Sequence, residues 1–177
     1  MLKRFLFFAF VFFSLHNATF AQETLTLKLV KDEFCQYVDL NTENIIQLLS
    51  TNNNDFIQFM EKNQFRKSEL GKKNEYIANS TKLNHARLLS KDGQSIHFTF
   101  SPIQADQIAH FISDLHQHTK ILKTIQKANK KTFIVQFLHL SQNKNYQIEL
   151  KEKIETEEYV GRTIAVKTLE VNVECRI

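Results

Sequence analysis

Residues 101–131 read SPIQADQIAHFISDLHQHTKILKTIQKANKK, and how far the helix inside them runs decides what kind of fold this chain makes. Ser101, Pro102 and Gln104 resemble a helix start: a capping hydroxyl, a proline at the first helical position and a glutamine that completes a capping box. Ile108, Ile112, Leu115 and Leu122 recur within about 40° of one another on a helical wheel, which marks a buried stripe. Lys127, Lys130 and Lys131 would complement the negative end of a helix reaching about Asn129. This reading predicts one long helix from Pro102 to about Asn129, the longest of the chain.

Asp106, His110, Asp114 and His118 stand four residues apart on that helix. On the same wheel they fall between about 160° and 280° from Ile108, mostly away from the core. Alternating carboxylate and imidazole groups can hold a divalent metal. Ligation needs a second shell and a partly dry setting, and one exposed helix face offers neither. The ladder is therefore read as a solvated face. His116 and His118 lie about 200° apart and cannot chelate one ion together.

On either side of this helix the pattern is mostly that of strands. Leu25, Leu27 and Leu29 alternate in Thr24–Val30, and Phe34–Leu40 extends or follows that strand. Asn41 and Thr42 suit a helix N-terminus, before Ile45, Ile46, Leu48 and Leu49 at helical spacing. The Asn52–Asp55 cluster can cap a second helical piece carrying Phe56, Phe59 and Met60. Lys67–Lys73 reads as a loop, with short extended stretches at 75–80 and 84–89. Asp92-Gly93 suits a tight hairpin turn, after which Ile96, Phe98 and Phe100 alternate with a polar face that includes His97. Three strands close the chain, at 132–140, 145–152 and 159–177. In the last, Ile164 and Val166 share one parity and Leu169, Val171 and Val173 the other, so a bulge is expected near Lys167-Thr168. The expected class is α+β: helices packed on one face of an antiparallel sheet, arranged as two successive helix-plus-strands units.

The N-terminus, MLKRFLFFAFVFFSLHNATFAQ, has Lys3 and Arg4 ahead of an apolar run and small residues before Gln22. That is the anatomy of a cleavable secretory signal over 1–21, and the run is too short for a membrane anchor. Residues 22–177 then form one exported domain, periplasmic or extracellular, with no further membrane span. Two of the 23 basic residues lie in the signal, leaving 21 against 19 acidic ones. The sequence pI near 9.0 thus overstates the positive charge, and a nucleic-acid partner is not indicated.

Cys35 and Cys175, near opposite ends of the exported chain, are expected to pair in an oxidising compartment. Lys120, Lys123, Lys127, Lys130 and Lys131 would cluster on one face of the long helix, where contact with an anionic surface is weighed against simple solvation. Asn79-Ser80-Thr81 matches a glycosylation sequon, relevant only in a eukaryotic secretory pathway. Nucleophile-elbow, phosphate-loop and dinucleotide signatures are missing, and three glycines cannot build a phosphate cradle. His85, His97 and His139 are isolated in sequence. Glu149, Glu152, Glu155, Glu157 and Glu158 read as solvated residues. No catalytic residue, cofactor or metal site is assigned. The expectation is a non-enzymatic exported binding domain whose partner is a protein or envelope component; the alternative is a small secreted hydrolase or metal-dependent enzyme built from scattered His, Asp and Glu.

Overall fold

The computed structural model describes residues 25–69, 71–81, 86–128, 131–159 and 162–176. The secretory signal expected over 1–21 lies outside the described residues, as do His85 and Lys130. Strands β1 (Leu29–Lys31) and β2 (Gln36–Val38) form a small hairpin sheet. Helices α1 (Thr42–Ser50) and α2 (Asn53–Lys62) follow. Then come β3 (Arg66–Lys67), β4 (Glu75–Ile77), β5 (Ala86–Asp92) and β6 (Ser95–Ser101). Helix α3 (Ala105–His118) leads into β7 (Thr119–Gln126), β8 (Thr132–His139), β9 (Lys144–Tyr159) and β10 (Arg162–Arg176). These last eight strands make one antiparallel sheet in the order β3-β4-β5-β6-β10-β9-β8-β7. Two meanders therefore meet where β6 pairs with β10.

The expected α+β arrangement is corrected. Strand accounts for 49% of the structure and helix for 24%, the helices are three short ones, the strands form two sheets, and the helices are not clearly packed on one face. The largest single cause lies in the opening stretch. Its helix stops at His118, and Thr119–Gln126 is a strand paired with β8. Its start also differs. Ser101 is the last residue of β6, its carbonyl accepting from Arg87 Nη1 at 2.9 Å and its hydroxyl from Thr168 at 3.0 Å. The N-cap is Gln104 instead, and its backbone N–H donates to the Gln107 side chain at 3.1 Å. A Ser101 held in the sheet cannot also cap the helix.

Elsewhere local chemistry and structure agree. Asn41 Oδ1 accepts from Asn44 N–H at 2.8 Å and Asn52 Oδ1 from Asp55 N–H at 2.9 Å, so both short helices begin at the expected asparagines. Phe56 and Met60 are fully buried. Asp92 pairs with Ser95 across a two-residue turn in which Gly93 adopts φ +57°, the left-handed conformation that favours glycine.

No bulge interrupts β10, whose register with both β9 and β6 is continuous. The two parities instead occupy opposite faces of the sheet. Leu169, Val171 and Val173 lie opposite Phe100, Phe98 and Ile96 in the core, whereas Val166 and Ile164 belong to the other face. Beyond Glu152 and Lys167 the β9–β10 hairpin extends past its flanking strands as a two-stranded ribbon.

A polar knot fixes the chain's first segment against α1. Buried Asn44 accepts from Lys28 N–H at 2.9 Å and donates to the carbonyls of Lys28 (2.9 Å) and Asp39 (2.8 Å). Asp39 also accepts from Asn41 at 2.8 Å and pairs with Lys28 at 3.2 Å.

Candidate functional site

Helix α3 is turned by roughly 40° from the expected stripe. Phe111 (1% exposed) and Leu115 (4%) enter the core, Ile108 is half-buried, and Ile112 remains 42% exposed. The rotation leaves a trough of about 310 Å³ between α3 and strands β7–β10. Ile112 and the partly exposed Phe133 form its lips, and Ile121, Val135, Leu150 and Leu169 line it deeper down. Its polar lining is confined to His116, Thr124 and Glu152, and the last is engaged by Lys167 at 3.1 Å. A trough this apolar favours removal of a ligand's hydrocarbon from water.

Beside it, at the N-terminal end of α3, lies a second cavity of about 260 Å³. Leu169 contributes to both, so the two are neighbours. The floor of this second cavity is apolar, including Leu40, Phe100 and Ile103, but its walls carry Lys28, Asp39, Tyr37, Asp106 and His110. Tyr37 OH accepts from Gln107 Nε2 at 3.0 Å, and its ring meets Phe100 edge-on at 6.0 Å. Burial pushes the Tyr37 phenol up from its ordinary pKa, against the Gln107 hydrogen bond and the nearby Arg87 charge, so the hydroxyl keeps its proton for donation. Arg87 stands behind, its guanidinium 5.3 Å from the centre of the Tyr37 ring and 5.7 Å from that of Phe100.

The structure therefore divides the Asp–His ladder. Asp106 and His110 line the polar cavity. Asp114 belongs to the fold: its Oδ2 accepts from the backbone N–H of Thr42, the first residue of α1, at 2.6 Å. Its Oδ1 lies 3.2 Å from Nδ1 of exposed His118. Among the described residues no group of three or more His, Cys, Asp or Glu could hold a metal ion.

The remaining histidines go to different places. His97 lies on the polar face of the sheet, 2.5 Å from Asn172 Oδ1 through Nδ1 and 3.0 Å from Thr99 Oγ1 through Nε2. Burial lowers its pKa despite the Asn172 bond, so the ring is neutral near pH 7. With Asn172 accepting, Nδ1 carries the proton and Nε2 accepts from Thr99. His139, beside Ser141 and near His118, is at the α3–β7 junction; burial first and then His118 lower its pKa. Glu149 pairs with Lys127 and Glu152 with Lys167, as solvated carboxylates do.

The lysine face is reorganised. Lys120 and Lys123 are exposed on β7, an outer strand of the sheet, and Lys127 follows it bonded to Glu149. A helical cluster of these lysines does not exist because the helix does not reach them.

The expected Cys35–Cys175 disulfide is also corrected: both thiols are free. Cys35 N–H donates to Asp32 Oδ1 at 2.8 Å, and Asp32 faces Arg87, which stands opposite Phe100 at one end of β6. Cys175 N–H donates to the Gln94 carbonyl at the other end. Six residues of strand separate these positions, about 20 Å, whereas a disulfide needs Cα atoms within about 7 Å. Cys35 is buried and its pKa is pushed up to about 11, by burial first and then by the Asp32 carboxylate.

No protein family matches the chain, and neither the curated proteins nor the solved structures contain a significant match.

Proposed function

We propose that this is an exported, non-enzymatic binding domain that takes its ligand in the trough between α3 and the sheet. The observation that carries the reading is an apolar concavity left open between α3 and the sheet. Ile112 and Phe133 stand exposed over a concavity lined by Leu150, Leu169 and Val135, and a polar cavity adjoins it. Soluble domains rarely leave such a concavity without use. Export rests on the Lys3-Arg4 and Phe-rich pattern of residues 1–21.

The test is a binding screen read by amide chemical shifts. Ligands of this protein should perturb residues of α3, β8 and β9 first, and Phe133→Glu should abolish the perturbation while leaving the fold intact. Perturbations confined to the far face of the sheet would overturn the assignment.

One observation favours the hydrolase reading as a second. Thr99, His97 and Asn172 form the hydrogen-bonded order of a hydroxyl, a base and an orienting amide. They lie on the polar sheet face and line neither cavity described above, so a substrate would be held less well there. Turnover of activated esters that disappears in both Thr99→Val and His97→Ala would establish that reading; no turnover removes it.

A further inference from the structure

Resting on the reading above, we infer that the ligand is a single-chain amphiphile whose hydrocarbon tail lies in the trough and whose head group, cationic or uncharged, sits in the adjoining polar cavity. Three observations lead there. The trough suits one alkyl chain in size. At about 30 Å³ for each water-sized group, 310 Å³ holds about ten methylenes. It follows α3 from Ile108 to Leu115, about 10 Å, and crosses from β7 to β10, about 14 Å.

The lining argues against a peptide. An extended segment must satisfy an N–H and a carbonyl at each residue. Here the polar groups are limited to Thr124, His116 and Glu152, and Lys167 already occupies the Glu152 carboxylate. A chain of methylenes asks for no such partners.

Charge complementarity sets the head group. The polar cavity carries two carboxylates, Asp39 and Asp106, against one ammonium, Lys28. Lys28 is paired with Asp39 at 3.2 Å, which leaves Asp106, whose Oδ1 accepts from Gln107 N–H at 2.9 Å in the first turn of α3, as the cavity carboxylate with no other lysine or arginine among the lining residues to pair with. Tyr37 and His110 add hydrogen-bonding capacity beside it. An anionic head would meet Asp106 unfavourably, whereas an amine or a hydroxylated head finds partners. Leu169, common to both cavities, marks where tail gives way to head.

The experiment is titration calorimetry of the purified protein, below micellar concentrations, with n-alkylamines of six to fourteen carbons. Dodecyl sulfate and dodecyl maltoside serve as head-group controls. Affinity should rise about fourfold per methylene, as expected for full burial of each CH₂, and level off near ten carbons. Dodecylamine and the maltoside should both bind more tightly than the sulfate. Ile112→Glu and Phe133→Glu should each weaken dodecylamine at least tenfold, whereas Ile164→Glu, exposed on the other face, should leave it unchanged. Asp106→Asn should reduce the preference of amine over sulfate without changing the chain-length slope.

Thermal melts of each variant distinguish lost binding from lost folding. Affinity independent of chain length, or a preference for sulfate, overturns this inference. If alkyl chains fail and another ligand is blocked by Phe133→Glu, the amphiphile inference falls and the binding reading stands. If no ligand of the protein responds to Ile112→Glu or Phe133→Glu, both fall.

Discussion

Removing the Asp114 carboxylate tests whether the α1–α3 contact is held by one hydrogen bond. Thr42 N–H is one of the donors that a helix N-terminus leaves without an intrahelical partner. Asp114 Oδ2 accepts it at 2.6 Å from an element 72 residues away in sequence, with the carboxylate largely shielded from water. A charge-assisted bond of this kind contributes about 1.5–3 kcal/mol, and the anion gains further from the helix dipole. Asp114→Ala should therefore cost about 2 kcal/mol. For a domain of this size that lowers the melting temperature by about 4–8 °C.

Urea denaturation should show a lower midpoint at unchanged slope. Thr42→Pro supplies the second side of a double-mutant cycle. It removes the same N–H while keeping a residue suited to the first helical position, and Asn41 at φ −140°, ψ 165° already has the extended backbone that proline requires before it. In the Thr42→Pro background Asp114→Ala should cost only the residual dipole interaction, about 0.5 kcal/mol. Equal costs in the two backgrounds would refute the bond as the source of the stability.

Asn44→Ala should destabilise the protein by about 3 kcal/mol in the same assay, since it removes three hydrogen bonds from a buried residue; a loss under 1 kcal/mol would mean that water replaces the amide. In a native thiol titration at pH 8, Cys175 should react first and Cys35 only on unfolding. As pH rises from about 9 to 11 the folded state retains a Cys35 proton that the unfolded state releases, so stability should fall across that window, and Cys35→Ala should flatten the fall. Glu170 moves the other way. Burial alone would raise its pKa, but Lys153, Lys151 and His97 hold it below the usual carboxylate range. Its stabilising share is present at neutral pH and is lost as pH falls below about 4.5, so Glu170→Gln should shallow the acid limb of a stability-versus-pH curve.

The sequence exposed those features whose cause is local. Asn41 and Asn52 announce helices through their own side chains, and Asp92-Gly93 announces its turn through a backbone conformation. The strand at β7 was hidden by a local cause of a different kind. Its register shifts between Ile121 and Lys123, so Leu122 breaks the alternation and sits directly after Ile121. Leu122, in phase with Ile108 and Leu115 on a helical wheel, then looks like the next turn of the helix. In β10 the two parities are both real, and only the neighbours of each face explain them: β6 covers one half of the strand and not the other. The candidate site was legible in part. Asp106 and His110 stood out as residue types, but their meeting with Lys28, Asp39 and Tyr37 depends on contacts across the fold. The trough itself arises from the rotation of α3, which the core contacts of Phe111 set. A wheel centred on Ile108 cannot supply that angle.

The irregularity of β7 also bears on the unpaired backbone at the edge of the sheet. An open sheet ends in two rows of free N–H and C=O groups, which can recruit further strands and propagate into aggregates. Here one end is β3, two residues long, and the other is β7, kinked at Leu122 and studded with Lys120 and Lys123. A short stub offers little to pair with, and a bent, positively charged border repels its own copy. Lys120 and Lys123 thus set positive charge along an open border of the eight-stranded sheet, which opposes strand addition by a second copy.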